Sequence, residues 1–201
     1  LNDSYDPLEI DVVLAWKPAS GIFPTLKNLK LTQSLGQGVD HIIKCPDLSR
    51  DVPIARIIDT DMSVQMSEYS LYGVLKAFRK FHIYQAQQTA NEWLPRSRNF
   101  HEDFKIGILG LGELGGAVAQ SLLQIGFTNL RGWSKSQKAI PGLQSFAGNE
   151  NLETFVDGLD VLICLLPLTK ETMNILNLDL FAKLNQGAFL INPARGAHLV
   201  D

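Results

Sequence analysis

A glycine-rich segment in the middle of the chain, residues 104–125, limits the possible folds more than any other part of the sequence. It begins as a short apolar run, tightens at Gly110, Gly112 and Gly115, and continues with apolar residues at helical spacing. The pattern G-x-G-x-x-G between a strand and a helix is typical of dinucleotide-binding folds. We therefore expect Gly110 to allow a sharp turn, Gly112 to let the backbone approach a pyrophosphate, and Gly115 to let the helix pack on the strand.

The start of the helix after this turn is the predicted phosphate site. Its first backbone amides, which include those of Glu113 and Leu114, would face the phosphates, because the helix dipole favours negative charge there. A glycine-rich turn with only a packing role is the alternative explanation of the same residues. The strand before the turn and the helix after it favour the dinucleotide site.

The composition of the chain excludes several classes of protein. Hydrophobic residues make up 45% and charged residues 19% of the 201 residues, which is ordinary for a globular protein. The net charge of −3 is scattered along the chain and gives no basic surface for nucleic acid. No apolar stretch approaches the roughly eighteen residues of a membrane helix, and the N-terminus lacks the pattern of a signal peptide. We predict neither a nucleic-acid partner nor a membrane segment.

The two cysteines and the two chain ends give further expectations. Cys45 and Cys164 are too few for a disulfide framework, which favours a reducing, cytoplasmic location. The chain opens on Leu1 without an initiator Met and closes on Asp201, a good helix N-cap residue with no helix after it. These ends indicate a segment of a longer protein. No metal site is predicted.

The first half of the chain alternates strands and connectors and then turns helical. Apolar runs at residues 10–16, 31–35 and 54–58 predict three strands of a small α/β unit. From residue 63 to residue 92 the apolar positions follow a helical period, which predicts one long helix between two lobes.

That helical pattern ends in a break at residues 93–98, so we place a domain boundary near residue 96. The sequence thus predicts two domains, one over residues 1–96 and one over residues 97–201, and the second contains the glycine-rich turn.

Strands and helical segments alternate again after the glycine-rich turn. Strands are expected at residues 130–133, 143–146, 160–166 and 188–192, and helical segments at residues 151–156 and 178–184. The run at 160–166 is apolar almost throughout, as in strands that are covered on both faces. This alternation predicts an α/β fold with a doubly wound, parallel Rossmann-type sheet that binds its ligand at the carboxyl ends of the strands.

The end of the second of these strands bears on the choice of cofactor. An enzyme that uses NAD places an acidic residue there for the ribose hydroxyls. Here Ser134 and Lys135 occupy that position, with a second lysine at Lys138 and no acid among them. A carboxylate about 4 Å away would repel each phosphate charge by about 4 kcal/mol at an effective dielectric of 20. The segment therefore favours NADPH, with NADH as the second choice; a solvated loop is the alternative.

Arg195 follows the last predicted strand at once. The carboxyl end of that strand would place it beside the nicotinamide half of a bound dinucleotide. A guanidinium there can hold a substrate carboxylate through two parallel hydrogen bonds, which a lysine cannot reproduce. A surface or ion-pair arginine is the alternative.

Several motifs together resemble those of the D-2-hydroxyacid dehydrogenase family. The family motifs are Gly110-x-Gly112-x-x-Gly115, Leu166-Pro-Leu-Thr169 with Thr172, and Asn192-Pro-Ala-Arg195-Gly196. Other segments resemble its glyoxylate/hydroxypyruvate reductase A branch: Trp133-Ser-Lys-Ser, Phe78-Arg-Lys-Phe and Leu35-Gly-Gln-Gly-Val-Asp40. The resemblance extends over nearly the whole chain.

The resemblance implies roles for individual residues. Arg195 would bind the substrate carboxylate and polarise the keto oxygen, while Gln37 and Gly38 would offer backbone amides to the same carboxylate. Trp16 matches a tryptophan at the substrate mouth. The matching motifs also carry implied cofactor contacts at Leu166, Pro167, Thr172, Pro193, Ala194 and Arg195.

The resemblance also implies an activity. A family member would reduce a small 2-keto acid, glyoxylate or hydroxypyruvate, to the 2-hydroxy acid with NADPH, and would form a homodimer. The resemblance implies that residues 1–96 are part of a smaller, flavodoxin-like substrate (catalytic) domain, and that residues 97–201 are part of the dinucleotide-binding domain. The general acid of the family is a histidine held by a glutamate, and both come after residue 201, so this chain alone is expected to be inactive. His198 reads as an ordinary loop residue. A non-catalytic dinucleotide-sensing module on the same fold is the alternative.

Overall fold

The structure, a computed structural model, describes residues 5–200 and divides into two compact units, with the division between Asp59 and Thr60. Each unit contains a parallel sheet whose strands are joined by helical or irregular connections. Parallel strands need crossover connections, and apolar runs separated by helical segments provide them. The predicted α/β class is confirmed.

The first unit contains a three-stranded parallel sheet. Its elements are β1 (Val12–Ala15), β2 (Leu31–Ser34), α1 (Asp40–Ile43) and β3 (Ile54–Ala55), with short 3₁₀ helices at Pro7–Glu9 and Phe23–Thr25. The strand order is β1-β2-β3, and Ala15 pairs with Ser34 at the carboxyl end of β2. The strands lie where the apolar runs predicted them, although β3 is only two residues long.

Two helices open the second unit, α2 (Thr60–Phe78) and α3 (Phe81–Ala90). The prediction of a single helix over residues 63–92 is wrong. Lys80 lies in the left-handed region at φ +57°, and this residue separates the two helices. The backbone of a right-handed helix does not contain this conformation, so the chain changes direction at Lys80 although the apolar spacing continues.

The sheet of the second unit has five parallel strands within the described residues. The elements after α3 are β4 (Ile106–Leu109), α4 (Glu113–Gln124), β5 (Leu130–Ser134), β6 (Gln144–Ala147), α5 (Leu152–Val156), β7 (Val161–Cys164), α6 (Leu178–Phe181) and β8 (Phe189–Ile191). The order β6-β5-β4-β7-β8 reverses its direction of growth between β4 and β7. In doubly wound sheets of this order, ligands bind beyond the carboxyl ends of the strands at that reversal.

Both faces of this sheet are covered. On one face, Ile106 and Ile108 of β4 pack with buried residues of α2 and α4. On the other face, Leu109 packs with Phe155 of α5 and with Leu162 of β7. All four residues of β4 and all four of β7 are buried, which explains their continuous apolar character. Burying one such large side chain contributes about 1.5–3 kcal/mol to stability.

Helix α2 packs in this same core, through Val74, Ala77 and Phe78. It therefore belongs to the compact unit that contains the five-stranded sheet. The domain boundary that the sequence predicts near residue 96 separates functional domains, not compact units, and it stays a prediction. Among residues 5–200, no helix is both long and apolar enough to cross a membrane.

Candidate active site

The glycine-rich turn joins β4 to α4. Gly110 has φ +99°, which favours glycine, and a β-carbon there would lie 2.8 Å from the carbonyl oxygen of Leu165. Gly115 is buried in the first turn of α4, where a β-carbon would lie 1.8 Å from the carbonyl oxygen of Gly110. The helix therefore approaches the end of the strand as closely as glycine permits.

Gly112 has the opposite surroundings. It is the N-cap residue of α4, and no atom lies within 4 Å of the place where its β-carbon would be. No side chain caps the helix at this residue, so the first amides of α4, which include those of Glu113 and Leu114, lack a side-chain cap. Open space in front of uncapped helical amides suits an anionic group such as a pyrophosphate. The residues present therefore fit a dinucleotide.

The end of β5 lies next to this turn, because β5 pairs with β4. Ser134 is buried and its hydroxyl donates to the carbonyl oxygen of Ser136 at 2.8 Å, which folds the chain back after the strand. Lys135, the next residue, is exposed. The structure thus presents a cation at the carboxyl end of β5.

A compact loop follows β7 on the other side of β4. Its residues Leu166 and Thr172 are buried. The Thr172 hydroxyl donates to the carbonyl oxygen of Pro167 at 2.6 Å and accepts from the amide of Thr169 at 2.8 Å. One threonine side chain therefore holds the loop, which we call the 166–172 loop.

Glu171, in this loop, was not singled out from the sequence. The pKa of its carboxyl lies below the ordinary value. The first cause is a hydrogen bond with the Thr169 side chain, followed by a hydrogen bond with the backbone and by the positive charges of Lys135 and Lys170. Glu171 is therefore ionised near neutral pH, in the electrostatic range of Lys135. No sequence pattern links the two residues, because they follow different strands.

The end of β8 carries Pro193, Ala194 and Arg195. The Asn192 side chain holds this segment. Its Nδ2 donates to the carbonyl oxygen of Arg195 at 3.0 Å, and its Oδ1 accepts from the backbone amide of Ala194 at 3.3 Å. Arg195 is exposed, and its Nη1 donates to the carbonyl oxygen of Ala194 at 2.9 Å. The residues predicted to bind cofactor thus follow the carboxyl ends of β4, β5, β7 and β8, at one edge of one sheet.

The first unit brings together the three residues predicted to contact substrate. The Trp16 ring lies over Gly36, where a β-carbon would meet Cζ3 at 2.7 Å. The Ser34 hydroxyl holds the following turn by donating to the carbonyl oxygen of Gly38 at 2.9 Å, and Gln37 donates to the carbonyl oxygen of Asp59 at 3.2 Å. Trp16 and the turn at Gln37 and Gly38 are therefore neighbours.

His41 is a further residue of this cluster that sequence reasoning missed. Its ring lies 4.8 Å from the Trp16 ring, centroid to centroid, and its Nε2 is buried without a hydrogen-bond partner. The signal in the sequence was only its place next to Asp40, in the motif that ends there.

His198 is not the ordinary loop residue that the sequence predicted. It lies in a 3₁₀ helix, Gly196–His198, and its side chain is fully buried. Nδ1 lies 2.9 Å from the carbonyl oxygen of Thr172, and Nε2 lies 3.0 Å from that of Leu166. A buried ring with both nitrogens on backbone carbonyls is not placed to give a proton to a substrate. Within residues 5–200, no group of three or more potential metal ligands comes together.

Comparison with known proteins identifies the family. Residues 71–201 match the model of the D-isomer specific 2-hydroxyacid dehydrogenase NAD-binding domain. The chain is 47% identical to glyoxylate/hydroxypyruvate reductase A of Serratia proteamaculans, over 98% of this chain and 64% of that protein. It therefore spans less than two thirds of the length of that relative.

Solved structures agree with this match. A D-isomer specific 2-hydroxyacid dehydrogenase from Xanthobacter autotrophicus, in complex with NADPH, is 38% identical with a TM-score of 0.90, over 98% of this chain and 62% of that one. The NADPH-dependent glyoxylate/hydroxypyruvate reductase of Sinorhizobium meliloti, in complex with NADP and sulfate, is 36% identical with a TM-score of 0.86, over 96% and 61%. On this evidence the chain belongs to the D-isomer specific 2-hydroxyacid dehydrogenase family.

Proposed function

We propose that the protein to which this chain belongs reduces a small 2-keto acid, glyoxylate or hydroxypyruvate, to the 2-hydroxy acid with NADPH. The observation that carries the proposal is the shared edge of the five-stranded sheet. The uncapped start of α4, the cation at Lys135 and the guanidinium of Arg195 all follow carboxyl ends of its strands. Relatives named for this reaction, 47% and 36% identical, support it.

The amides at the start of α4 would hold the pyrophosphate, with Gly112 leaving room for it. Lys135 would hold the 2′-phosphate, while the Ser134 hydroxyl fixes the turn that presents it by donating to Ser136. The absence of an acid beside them in the sequence favours NADPH over NADH. Leu166, Pro167, Thr172, Pro193 and Ala194 would line the remainder of the cofactor. When bound, NADPH supplies the hydride.

Arg195 would hold the substrate carboxylate and draw electron density towards the keto oxygen. A guanidinium fits a carboxylate through two parallel hydrogen bonds, which orients the keto carbon as well as binding it. In the first unit, Gln37, Gly38 and Trp16 are proposed to contact substrate. The proton for the new hydroxyl requires a general acid other than His198, because both nitrogens of that ring lie against carbonyl oxygens.

The test is parallel calorimetric titration of the full-length protein with NADPH and NADH, followed by an assay of NADPH oxidation with glyoxylate and hydroxypyruvate. We expect tighter binding of NADPH and turnover with one or both acids. Equal affinities would contradict the cofactor assignment. Tight NADPH binding without turnover of either acid would contradict the substrate assignment.

We further propose that the protein forms a homodimer in the cytoplasm. Trp93 is 84% exposed and Leu94 53%, next to each other in the segment without regular secondary structure that follows α3. Adjacent large apolar side chains in water are typical of a contact surface. The free thiols of Cys45 and Cys164 suit a reducing compartment. Light scattering of the protein and of Trp93→Ser tests the dimer, and cell fractionation tests the location.

A further inference from the structure

His198 makes a contact that neither the fold nor the proposed reaction explains. Its side chain is completely buried, and both ring nitrogens lie within hydrogen-bonding distance of backbone carbonyl oxygens, those of Thr172 and Leu166. These two carbonyls belong to the two ends of the 166–172 loop. The imidazole therefore closes the base of that loop.

The backbone of the same residue is tied to the segment that carries Arg195. The amide of His198 donates to the carbonyl oxygen of Arg195 at 3.2 Å. The carbonyl oxygen of His198 accepts from the backbone amide of Leu176 at 2.9 Å. The carbonyl oxygen of the preceding residue, Ala197, accepts from the backbone amide of Asn174 at 3.1 Å. His198 thus joins the chain after β7 to the chain after β8 through its ring and through its backbone.

The choice of side chain is informative. A hydrocarbon would fill this buried space without the cost of burying polar ring atoms. Imidazole is rigid and has two separate ring nitrogens, so it can donate to one carbonyl oxygen while its other edge lies against a second. A buried carbonyl oxygen without a partner is costly, and the single N–H of the neutral ring satisfies one of these two carbonyls. The other nitrogen lies against the second carbonyl, so the ring spans both ends of the loop.

We propose that His198 is a positioning residue that holds the 166–172 loop and the Arg195 segment in one fixed arrangement. The residues that contact cofactor and substrate carboxylate are then in place before either ligand binds. The proposal rests on the proposed function, because it assigns the two segments to cofactor and substrate. Neither ring nitrogen touches substrate in this role. The physical basis is preorganisation: a loop that is ordered before binding loses less conformational entropy when the ligand arrives.

The experiment compares two variants of the full-length protein. His198→Phe keeps an aromatic ring and removes both polar contacts. Phe127→Leu is the control, because Phe127 is also fully buried but packs with Phe78 and Phe104 in the cluster on the other face of the sheet. Three readouts are the melting temperature, hydrogen exchange at the amides of Thr169 and Thr172, and the affinity for NADPH.

We expect His198→Phe to speed exchange in the loop about tenfold or more and to weaken NADPH binding about fivefold or more, since the loop loses the hydrogen bond that the buried ring donates to it. The control should lower the melting temperature without either change. In turnover, His198→Phe should raise KM and lower kcat together, because both segments are displaced. His198→Gln, which can still donate to one carbonyl, should recover part of the loss.

Equal loop exchange and equal NADPH affinity in the two variants would overturn the proposal and make His198 a core residue only. If His198→Phe does not fold, the comparison of His198→Gln with the control decides in the same way. The proposed function fails differently: the unmodified protein would then not bind NADPH or not turn over a keto acid. The exchange measurement needs no cofactor, so it tests the link between the segments in either case.

Discussion

The carbonyl oxygen of Gly110 lies 1.8 Å from the position that a β-carbon on Gly115 would occupy. The first turn of α4 is therefore packed against the end of β4 with no room for one more carbon atom. Gly116, the next residue of the same helix, has nothing within 4 Å of its corresponding position. A β-carbon is therefore excluded at Gly115 and accommodated at Gly116.

This difference predicts opposite effects on stability. We expect Gly115→Ala to lower the free energy of unfolding by about 3 kcal/mol or more, because the backbone of strand or helix must move. Gly116→Ala should raise it by about 0.5–1 kcal/mol, since alanine loses less backbone entropy in a helix. Urea denaturation of both variants measures the two values. Equal destabilisation would show that α4 does not approach β4 more closely at Gly115 than at Gly116.

Substitution of Gly112 should weaken NADPH binding and leave the stability of the protein almost unchanged. Gly112 faces open space at the start of α4, so Gly112→Ala should change the free energy of unfolding by less than about 0.5 kcal/mol. Its methyl group would stand where the pyrophosphate approaches, and we expect the affinity for NADPH to fall about tenfold or more. The measurement is calorimetry alongside urea denaturation. Unchanged affinity would place the phosphates elsewhere.

Charge at the end of β5 should decide between the cofactors. Lys135→Asp reverses the sign of the charge proposed to face the 2′-phosphate, so we expect NADH to bind more tightly than NADPH in that variant. Lys27→Asp, the same change at an exposed residue of the first unit, is the control for net charge. Titration of each variant with both cofactors gives the ratio. A ratio that shifts equally in both variants would remove Lys135 from the site.

Glu171 should act against the bound phosphate. Its carboxyl has a lowered pKa, in part through Lys135 and Lys170, and is ionised near neutral pH. Glu171→Gln should therefore strengthen NADPH binding by about two- to fivefold, a modest effect because the side chain is exposed to solvent. NADH, which lacks the 2′-phosphate, should be affected less. An equal gain for both cofactors would mean that Glu171 does not act on that phosphate.

Arg195 is proposed to hold the substrate and not the phosphates. In the full-length protein, Arg195→Lys should lower kcat/KM for the keto acid by about 2 kcal/mol or more, because a point charge replaces a two-bonded contact. The affinity for NADPH should barely change. Steady-state kinetics and calorimetry give both quantities. Loss of NADPH affinity with turnover preserved would make Arg195 a cofactor residue.

The two thiols should differ in reactivity. Burial raises the pKa of the Cys164 thiol from 9.0 to about 11, and its side chain is fully buried at the end of β7. At pH 8 a thiol reagent should leave Cys164 unmodified in the native protein, while Cys45, which is partly exposed, reacts slowly. Both should react in denaturant. Rapid labelling of Cys164 would indicate local opening of β7.

The same shift predicts a loss of stability at high pH. Above about pH 9 the unfolded thiol loses its proton while the folded one keeps it, so stability falls as the pH rises through the range from about 9 to about 11. The full effect of two pKa units is roughly 3 kcal/mol. Cys164→Ala should lack this component, and the difference between the two unfolding curves across that range isolates it. Parallel curves would contradict the raised pKa.

Local features of this protein could be read from its sequence. The sequence predicted each of the eight strands found within residues 5–200, most of them as apolar runs, because such runs are a property of residues that are neighbours in the chain. The glycine pattern predicted the turn after β4, since the spacing of Gly110, Gly112 and Gly115 is itself a local property. Arg195 was singled out because it comes shortly after the end of β8, and strand ends are sites in parallel sheets; its role stays a prediction.

Tertiary structure decided the features that join distant parts of the chain. The break at Lys80 is invisible in an apolar pattern that continues through it. The relation of Glu171 to Lys135, and the contacts of His198 with Leu166 and Thr172, arise because parallel strands bring their carboxyl ends to one edge. Sequence spacing encodes which residues form a strand or a helix. Which loops then meet depends on the strand order, and that is set by the packing of both faces of the sheet.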